Sequence, residues 1–117
     1  MKVKTKVWIN DDHGRVIFGA GRVRILQAIE RLGSMSKAAK ELHMSYRALW
    51  GRIESTEERI GAKILIRKPG GGKESGSVLT STGRNLLENY RLLSQRLIQF
   101  ADREFENIFG KTGKNEE

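Results

Sequence analysis

The residues with the most distinctive chemistry lie together in the segment Ser45-Tyr46-Arg47, with Trp50 one helical turn further on. Hydroxyl, phenol and guanidinium groups at the start of a helix are what a recognition helix presents to base edges and phosphates in the DNA major groove. An arginine there can pair bidentately with a guanine edge. We therefore expect a DNA-binding surface that includes the following residues: Ser36, Lys37, Ser45, Tyr46, Arg47, Trp50, Arg52, Arg67, Lys68 and Lys73.

Each of these residues also has an ordinary structural interpretation. Ser36 and Ser45 can be plain helix caps, although a capped helix N-terminus also directs N–H groups at phosphate. Tyr46 either hydrogen-bonds a phosphate or packs inward, and Trp50 either contacts a base or sugar or forms half-buried scaffold. The basic residues either contact phosphates or are simply solvated. The sequence leaves these alternatives open.

Two short helices joined by a tight turn are predicted over Gly33–Ile53, GSMSKAAKELHMSYRALWGRI. Helices with so short a connection cross steeply, and the crossing point needs small residues, which Ala38 and Ala39 supply. If Leu49 faces inward, a rotation of about 100° per residue places Arg47 on the outer face of the second helix. The pattern therefore predicts a helix-turn-helix, within residues 33–60.

Helix boundaries follow from local signals. Gly33 and Gly61 stand directly after helical patterns and fit C-caps, because glycine adopts the left-handed conformation without strain. Ser34 or Ser36 can cap the helix that follows Gly33. These signals predict where the helices around the turn begin and end.

The remaining segments predict small strands and one long helix. Alternating side chains indicate a β-hairpin over residues 2–18, and a helical period begins at Arg22. A strand, a glycine-rich loop and a second strand over residues 64–80 are typical of a wing. A helix is predicted over residues 81–109, and residues 111–117 form a polar tail that we expect to be disordered. The predicted fold class is mainly α with small β, a winged helix-turn-helix domain over residues 1–110.

The long C-terminal helix carries an apolar residue at every third or fourth position. These are Leu86, Tyr90, Leu93, Leu97, Ala101, Phe105 and Ile108. A helix about 40 Å long exceeds what a domain of this size can cover. We therefore expect its outer half to pack against a second copy and form a homodimer. The alternative is a monomer whose helix folds back over its own core.

Charge is distributed unevenly along the chain of 117 residues, whose net charge is +8. Residues 1–76 contain 16 Lys/Arg and 8 Asp/Glu, whereas residues 77–117 contain 6 of each. One part of the fold therefore carries the basic excess, which favours a polyanionic partner. The absence of cysteine excludes disulfides and thiolate zinc sites. No apolar run approaches the roughly 20 residues of a membrane span, and no signal peptide is recognisable, so a cytoplasmic location is expected.

Nucleotide-binding and catalytic sites are not supported by the residues present. The glycine-rich loop differs from a P-loop because Lys73 is followed by Glu74, not by the Ser or Thr that holds magnesium. The two histidines lie in separate turns, with no third ligand at metal spacing. Glu57 and Glu58 are interpreted as solvated residues of a charged helix surface. We expect no enzymatic activity, no metal and no cofactor.

The stretch GS-x-S-x-AA-x-x-L-H-M-S resembles the helix-turn-helix of LysR-type regulators, and the continuation through Ile60-Gly61, Ile64-Leu65 and Arg67 agrees with it. Ser45-Tyr46-Arg47 with Trp50, the loop 70–76 and the residues before Gly83 are more similar to the molybdate-responsive ModE-type regulators. This resemblance covers residues 19–93. It implies a winged helix-turn-helix that binds double-stranded DNA and regulates transcription.

Two departures from that family bear on function. Thr56 stands where these regulators usually have an apolar residue, which predicts looser packing between the third helix and the wing. Full-length members also carry C-terminal domains that bind the oxyanion. This chain resembles the DNA-reading half, so molybdate binding is not expected of it. The leading hypothesis is a homodimeric transcriptional regulator, and the alternatives are a winged-helix module that binds another protein or RNA.

Overall fold

The computed structural model describes residues 1–68 and 76–115, with side chains as far as Gly110. Four helices and two separate two-stranded antiparallel sheets make up this part of the chain. The elements are β1 Trp8–Asn10, β2 Val16–Gly19, α1 Ala20–Leu32, α2 Met35–Glu41, α3 Tyr46–Ile60, β3 Leu65–Arg67, β4 Ser77–Leu79 and α4 Ser81–Asn115. The predicted class, mainly α with small β, is confirmed.

The hydrophobic core lies between α1, α2, α3, the two small sheets and the first half of α4. Leu26, Ile29 and Leu49 are fully buried, as the helical periods of α1 and α3 predict. The ring of Phe18 meets the ring of Tyr90 edge to face, with centroids 5.5 Å apart. This contact seats the first half of α4 against the rest of the domain.

The N-terminal hairpin is shorter than the alternation over residues 2–18 predicts. Only Trp8–Asn10 pairs with Val16–Gly19, with an irregularity in register between Ile9 and Asn10. The preceding residues run beside α4, where the Tyr90 hydroxyl donates a hydrogen bond of 2.6 Å to the Val7 carbonyl. Alternating burial can therefore arise from contact with a helix as well as from a sheet.

Two interpretations of α3 are corrected by the structure. Thr56 is fully buried, and its hydroxyl donates a 2.6 Å hydrogen bond to the Ile17 carbonyl, so the polar residue joins α3 to β2 instead of loosening the packing. Glu57 is also buried, not solvated, and its carboxylate accepts a hydrogen bond of 2.9 Å from the Ile64 amide. Both groups hold neighbouring elements in place.

The ends of α1 and α3 and the start of α4 follow the local signals, whereas the end of α4 does not. Gly33 and Gly61 are C-caps with φ of 68° and 73°, as predicted. The Thr80 hydroxyl accepts a hydrogen bond of 3.0 Å from the Gly83 amide at the start of α4. The helix then continues to Asn115, beyond the predicted end at residue 109 and into the segment expected to be disordered. Residues 116–117 of that predicted tail lie outside the described part of the chain.

Candidate nucleic-acid interface

The helix-turn-helix is built around the two alanines that the sequence places at its crossing. Ala38 and Ala39 are buried, and the Met44 amide donates a 2.9 Å hydrogen bond to the Ala39 carbonyl. His43 has a positive φ of 55°, so the chain reverses sharply between the helices. Ser45 then caps α3, its hydroxyl accepting from the Ala48 amide at 3.0 Å. Residues 45–48 are all exposed, so the first turn of α3 projects from the domain.

The start of α2 carries two further predicted site residues, Ser36 and Lys37. Ser34, not Ser36, is the cap of α2, because its hydroxyl accepts a hydrogen bond of 3.2 Å from the Lys37 amide. Ser36 and Lys37 are both exposed. The hydroxyl of Ser36 therefore does not serve as the helix cap.

Three of the predicted contact residues of α3 have different surroundings. Arg47 is exposed, and among the residues that the structure describes it has no hydrogen-bond or ion-pair partner. Tyr46 is 39% exposed, and its hydroxyl accepts a hydrogen bond from Arg67 of β3. Trp50 is half-buried and packs against the core. Arg47 is thus available to a ligand, whereas Tyr46 and Trp50 also join α3 to the second sheet.

The wing consists of β3 and β4, paired in the register Leu65 with Leu79 and Arg67 with Ser77. The Ser77 amide donates a 2.9 Å hydrogen bond to the Gly33 carbonyl, which fixes the sheet to the end of α1. The side chains of Arg67 and Lys68 are exposed. Lys73 and the glycine-rich loop around it lie outside the described residues.

A cluster of three arginines lies on the side of α3 that faces away from the wing. Arg22 of α1 donates a 2.9 Å hydrogen bond to the Ser55 hydroxyl and one of 3.3 Å to the Arg52 carbonyl. Arg59 donates to the Val16 carbonyl. Burial lowers the pKa of Arg22, and the positive charges of Arg52 and Arg59 lower it further. Sequence reasoning found Arg52 but missed Arg22, which is distant in the chain.

The described residues hold no group of three or more His, Asp or Glu side chains placed to bind a metal ion. Ion pairs within the same part of the chain join Arg15 to Asp11, Arg31 to Glu41 and Lys63 to Glu57. None of these pairs involves the predicted contact residues. No described helix is both long and apolar enough to cross a membrane.

Residues 21–84 match the sequence profile of the bacterial regulatory helix-turn-helix proteins of the lysR family. The chain belongs to this family. The matched range begins in α1 and ends in the first turn of α4, so it contains the helix-turn-helix and the wing. It also contains every residue of the predicted contact surface.

Two curated relatives connect the chain with molybdenum-related proteins. ModE of Azotobacter vinelandii, a molybdenum transport protein, is 36% identical over 92 residues, or 79% of this chain and 34% of the relative. The molybdenum-pterin-binding protein MopB of Rhodobacter capsulatus is 40% identical over 72 residues, or 62% of this chain and 27% of the relative. The match spans about a third of the length of the first relative and about a quarter of the second. The resemblance to ModE-type regulators is confirmed.

A solved structure supports the fold independently. The crystal structure of a CbnR DBD–DNA complex contains a chain that aligns with a TM-score of 0.53 at 24% sequence identity. The alignment covers 79% of this chain and 95% of that chain. The likeness concerns the fold, and it agrees with the winged helix-turn-helix assigned here from α2, α3 and the β3–β4 sheet.

Proposed function

We propose that the chain binds double-stranded DNA in a sequence-specific manner and regulates transcription as a homodimer. The observation that carries the proposal is the exposed Arg47 on the projecting first turn of α3, which has no partner among the described residues. In helix-turn-helix proteins this turn contacts base edges, while the surrounding basic residues contact phosphates. The family assignment and the CbnR complex with DNA support the proposal.

The other proposed contact residues belong to the helix-turn-helix and to the segment that follows it. Ser36 and Lys37 lie at the start of α2, and Arg67 and Lys68 lie on the wing. Ser45, Tyr46, Trp50 and Arg52 belong to the α3 segment, and Lys73 belongs to the loop between β3 and β4. Neutralisation of phosphates by the basic members makes the affinity fall as salt rises.

Arg47→Ala is expected to weaken binding to the preferred DNA by about 1–3 kcal/mol while leaving binding to random DNA nearly unchanged. The reason is that a base-reading guanidinium discriminates between sequences, whereas a phosphate contact does not. The preferred sequence is obtained by selecting bound fragments from a random DNA pool with the wild-type chain. Affinities for the selected and random duplexes are then compared by fluorescence anisotropy.

Arg91→Ala is a matched control for this change, because Arg91 is exposed on α4 and its substitution removes the same charge. An equal loss on selected and random DNA after Arg47→Ala would show that Arg47 does not read bases. Failure of the wild-type chain to bind either duplex would favour a protein-binding module. The major groove of double-stranded RNA is too narrow for a recognition helix, so RNA should not compete with the bound DNA. Displacement of the DNA by double-stranded RNA would therefore favour an RNA-binding module.

The proposal of a homodimer rests on the exposed apolar face of α4. Leu93, Leu97 and Phe100 are 42%, 38% and 56% exposed, and they share one face at about 100° per residue. Contiguous exposed apolar surface of this kind marks a protein–protein contact. A pair of α4 helices related by a two-fold axis sets the separation of two recognition helices for a palindromic site.

Leu97→Glu is expected to convert the dimer into a monomer at micromolar concentration, because it places a charge in the apolar face that the partner helix covers. Gln99→Glu is the matched control, since Gln99 is exposed on a different face of α4 and acquires the same charge. Sedimentation velocity measures the mass of each variant. A wild-type chain that sediments as a monomer, or a Leu97→Glu variant that remains a dimer, contradicts the proposed interface.

A further inference from the structure

The two sides of α3 carry different groups. At about 100° per residue, Tyr46 and Trp50 lie on the side toward the wing, where Tyr46 meets Arg67. Arg52, Ser55 and Arg59 lie on the opposite side, next to α1 and β2. A helix in the major groove has a phosphate backbone on each side of it. The side toward α1 is therefore placed to meet the second backbone.

Arg22 is held in a fixed position on that side. Its Nε donates to the Arg52 carbonyl at 3.3 Å, and one Nη2 proton is donated to the Ser55 hydroxyl at 2.9 Å. Ser55 itself donates a hydrogen bond of 3.1 Å to the Arg52 carbonyl. A guanidinium has five N–H donors, so these two bonds leave three others for a ligand. Because the fork is already oriented, an anion that binds it immobilises little additional side chain.

The charge around Arg22 also favours an anion. Arg52 and Arg59 are the charged groups whose field acts on Arg22, and both are positive. Within the described residues none of the three arginines forms an ion pair with a carboxylate. The first turn of α1 contains no acidic residue. Like charges repel one another, and a bound phosphate relieves that repulsion.

We propose that Arg22, held by the Ser55 hydroxyl and the Arg52 carbonyl, forms a phosphate-binding subsite with the exposed side chain of Arg52 on the α1 side of the recognition helix. The ligand is a phosphodiester of the DNA backbone, so this inference rests on the proposed function. The subsite complements the wing, and together they hold α3 from both sides of the groove. Contacts of this type set the orientation of the recognition helix and do not read sequence.

Arg22→Gln is expected to lower the affinity about fivefold on every DNA sequence and to reduce the slope of log affinity against log salt by about 0.9, the value for one phosphate. Arg22→Lys retains the charge but not the forked guanidinium, so its DNA affinity is expected to lie between those of Arg22→Gln and the wild type. Arg91→Gln, an exposed position near the carboxylates Glu30 and Glu41, is the matched control. Circular dichroism establishes that each variant is folded.

A second measurement does not depend on DNA. Inorganic phosphate is titrated into the ¹⁵N-labelled wild-type chain, and the Nε–H signal of Arg22 is expected to shift while that of Arg91 stays in place. Normal DNA binding by Arg22→Gln together with an unmoved Arg22 signal overturns the subsite. A phosphate shift with no effect on DNA affinity shows a site for free phosphate and overturns the backbone assignment. If the wild-type chain binds no DNA, the proposed function fails, and the phosphate titration alone decides whether the anion site exists.

Discussion

Gly83→Ala is expected to lower the free energy of unfolding by about 2 kcal/mol or more, because the added methyl group has no space. A Cβ at this position collides with the carbonyl oxygen of Ile64 and lies 3.1 Å from its carbonyl carbon. Both are backbone atoms of the segment leading into β3, so they cannot rotate away as a side chain would. The greater helix propensity of alanine, about 1 kcal/mol, offsets only part of this loss. Urea unfolding followed by circular dichroism measures the change.

Gly21→Ala is the matched control for that prediction. Gly21 is also helical, but none of the described atoms lies within 4 Å of a Cβ built there. Alanine at Gly21 is therefore expected to stabilise the domain by about 0.5–1 kcal/mol through helix propensity alone. Opposite signs of the two stability changes would distinguish the steric collision at Gly83 from the effect of helix propensity, which acts at both positions. Equal stabilisation at both positions would show that α4 does not pack against the Ile64 backbone.

The helix-turn-helix could be predicted from the sequence because its determinants are local. Gly33 and Gly61 end their helices in the left-handed conformation, and Ser45 caps α3 through a residue three positions away. Ala38 and Ala39 lie at the helix crossing that their size predicts. Each of these features depends on residues within one or two turns, so the linear pattern contains it.

Features that depend on distant residues could not be read in the same way. The alternation in residues 2–7 is satisfied beside α4 through Tyr90, which is more than 80 residues away in the chain. Thr56 and Glu57 are polar residues in a charged stretch, and only the positions of β2 and β3 make them buried hydrogen-bonding groups. Side-chain type alone does not distinguish a solvated glutamate from one that is buried and paired.

In the predicted contact surface as well, features set by nearby residues could be predicted and features set by distant residues could not. Helical rotation from Leu49 sufficed to place Arg47 on the outer face of α3, and its exposure agrees with that placement. The hydrogen bond between Tyr46 and Arg67 joins residues from two elements, and it was not foreseen. Arg22 was overlooked for the same reason, because its partner Ser55 is 33 residues away. Interface residues that act in pairs across elements require the fold to be known.

Glu57→Ala is expected to destabilise the domain by about 2–3 kcal/mol, because it leaves buried donors without an acceptor. One carboxylate oxygen of Glu57 accepts from the Ile64 amide at 2.9 Å and from the Leu65 amide at 3.4 Å. The other oxygen lies 3.5 Å from the Lys63 amine. Glu57→Gln keeps an acceptor at this place and is expected to lose less. Urea unfolding is expected to show that stability decreases from the wild type to Glu57→Gln and then to Glu57→Ala.

Glu58→Ala is the control, since the neighbouring carboxylate is exposed and its removal is expected to change stability by no more than about 0.5 kcal/mol. An equally small effect at Glu57 would contradict its assigned role.

The carboxylate of Glu57 also positions the wing, because Ile64 and Leu65, whose amides it accepts from, lead directly to Arg67 and Lys68. Glu57→Ala is therefore expected to weaken DNA binding at temperatures where the variant is still folded, although Glu57 itself is buried. A loss of affinity in a folded Glu57→Ala variant, absent in Glu58→Ala, indicates that the wing must be held against α3 for its basic residues to reach phosphate.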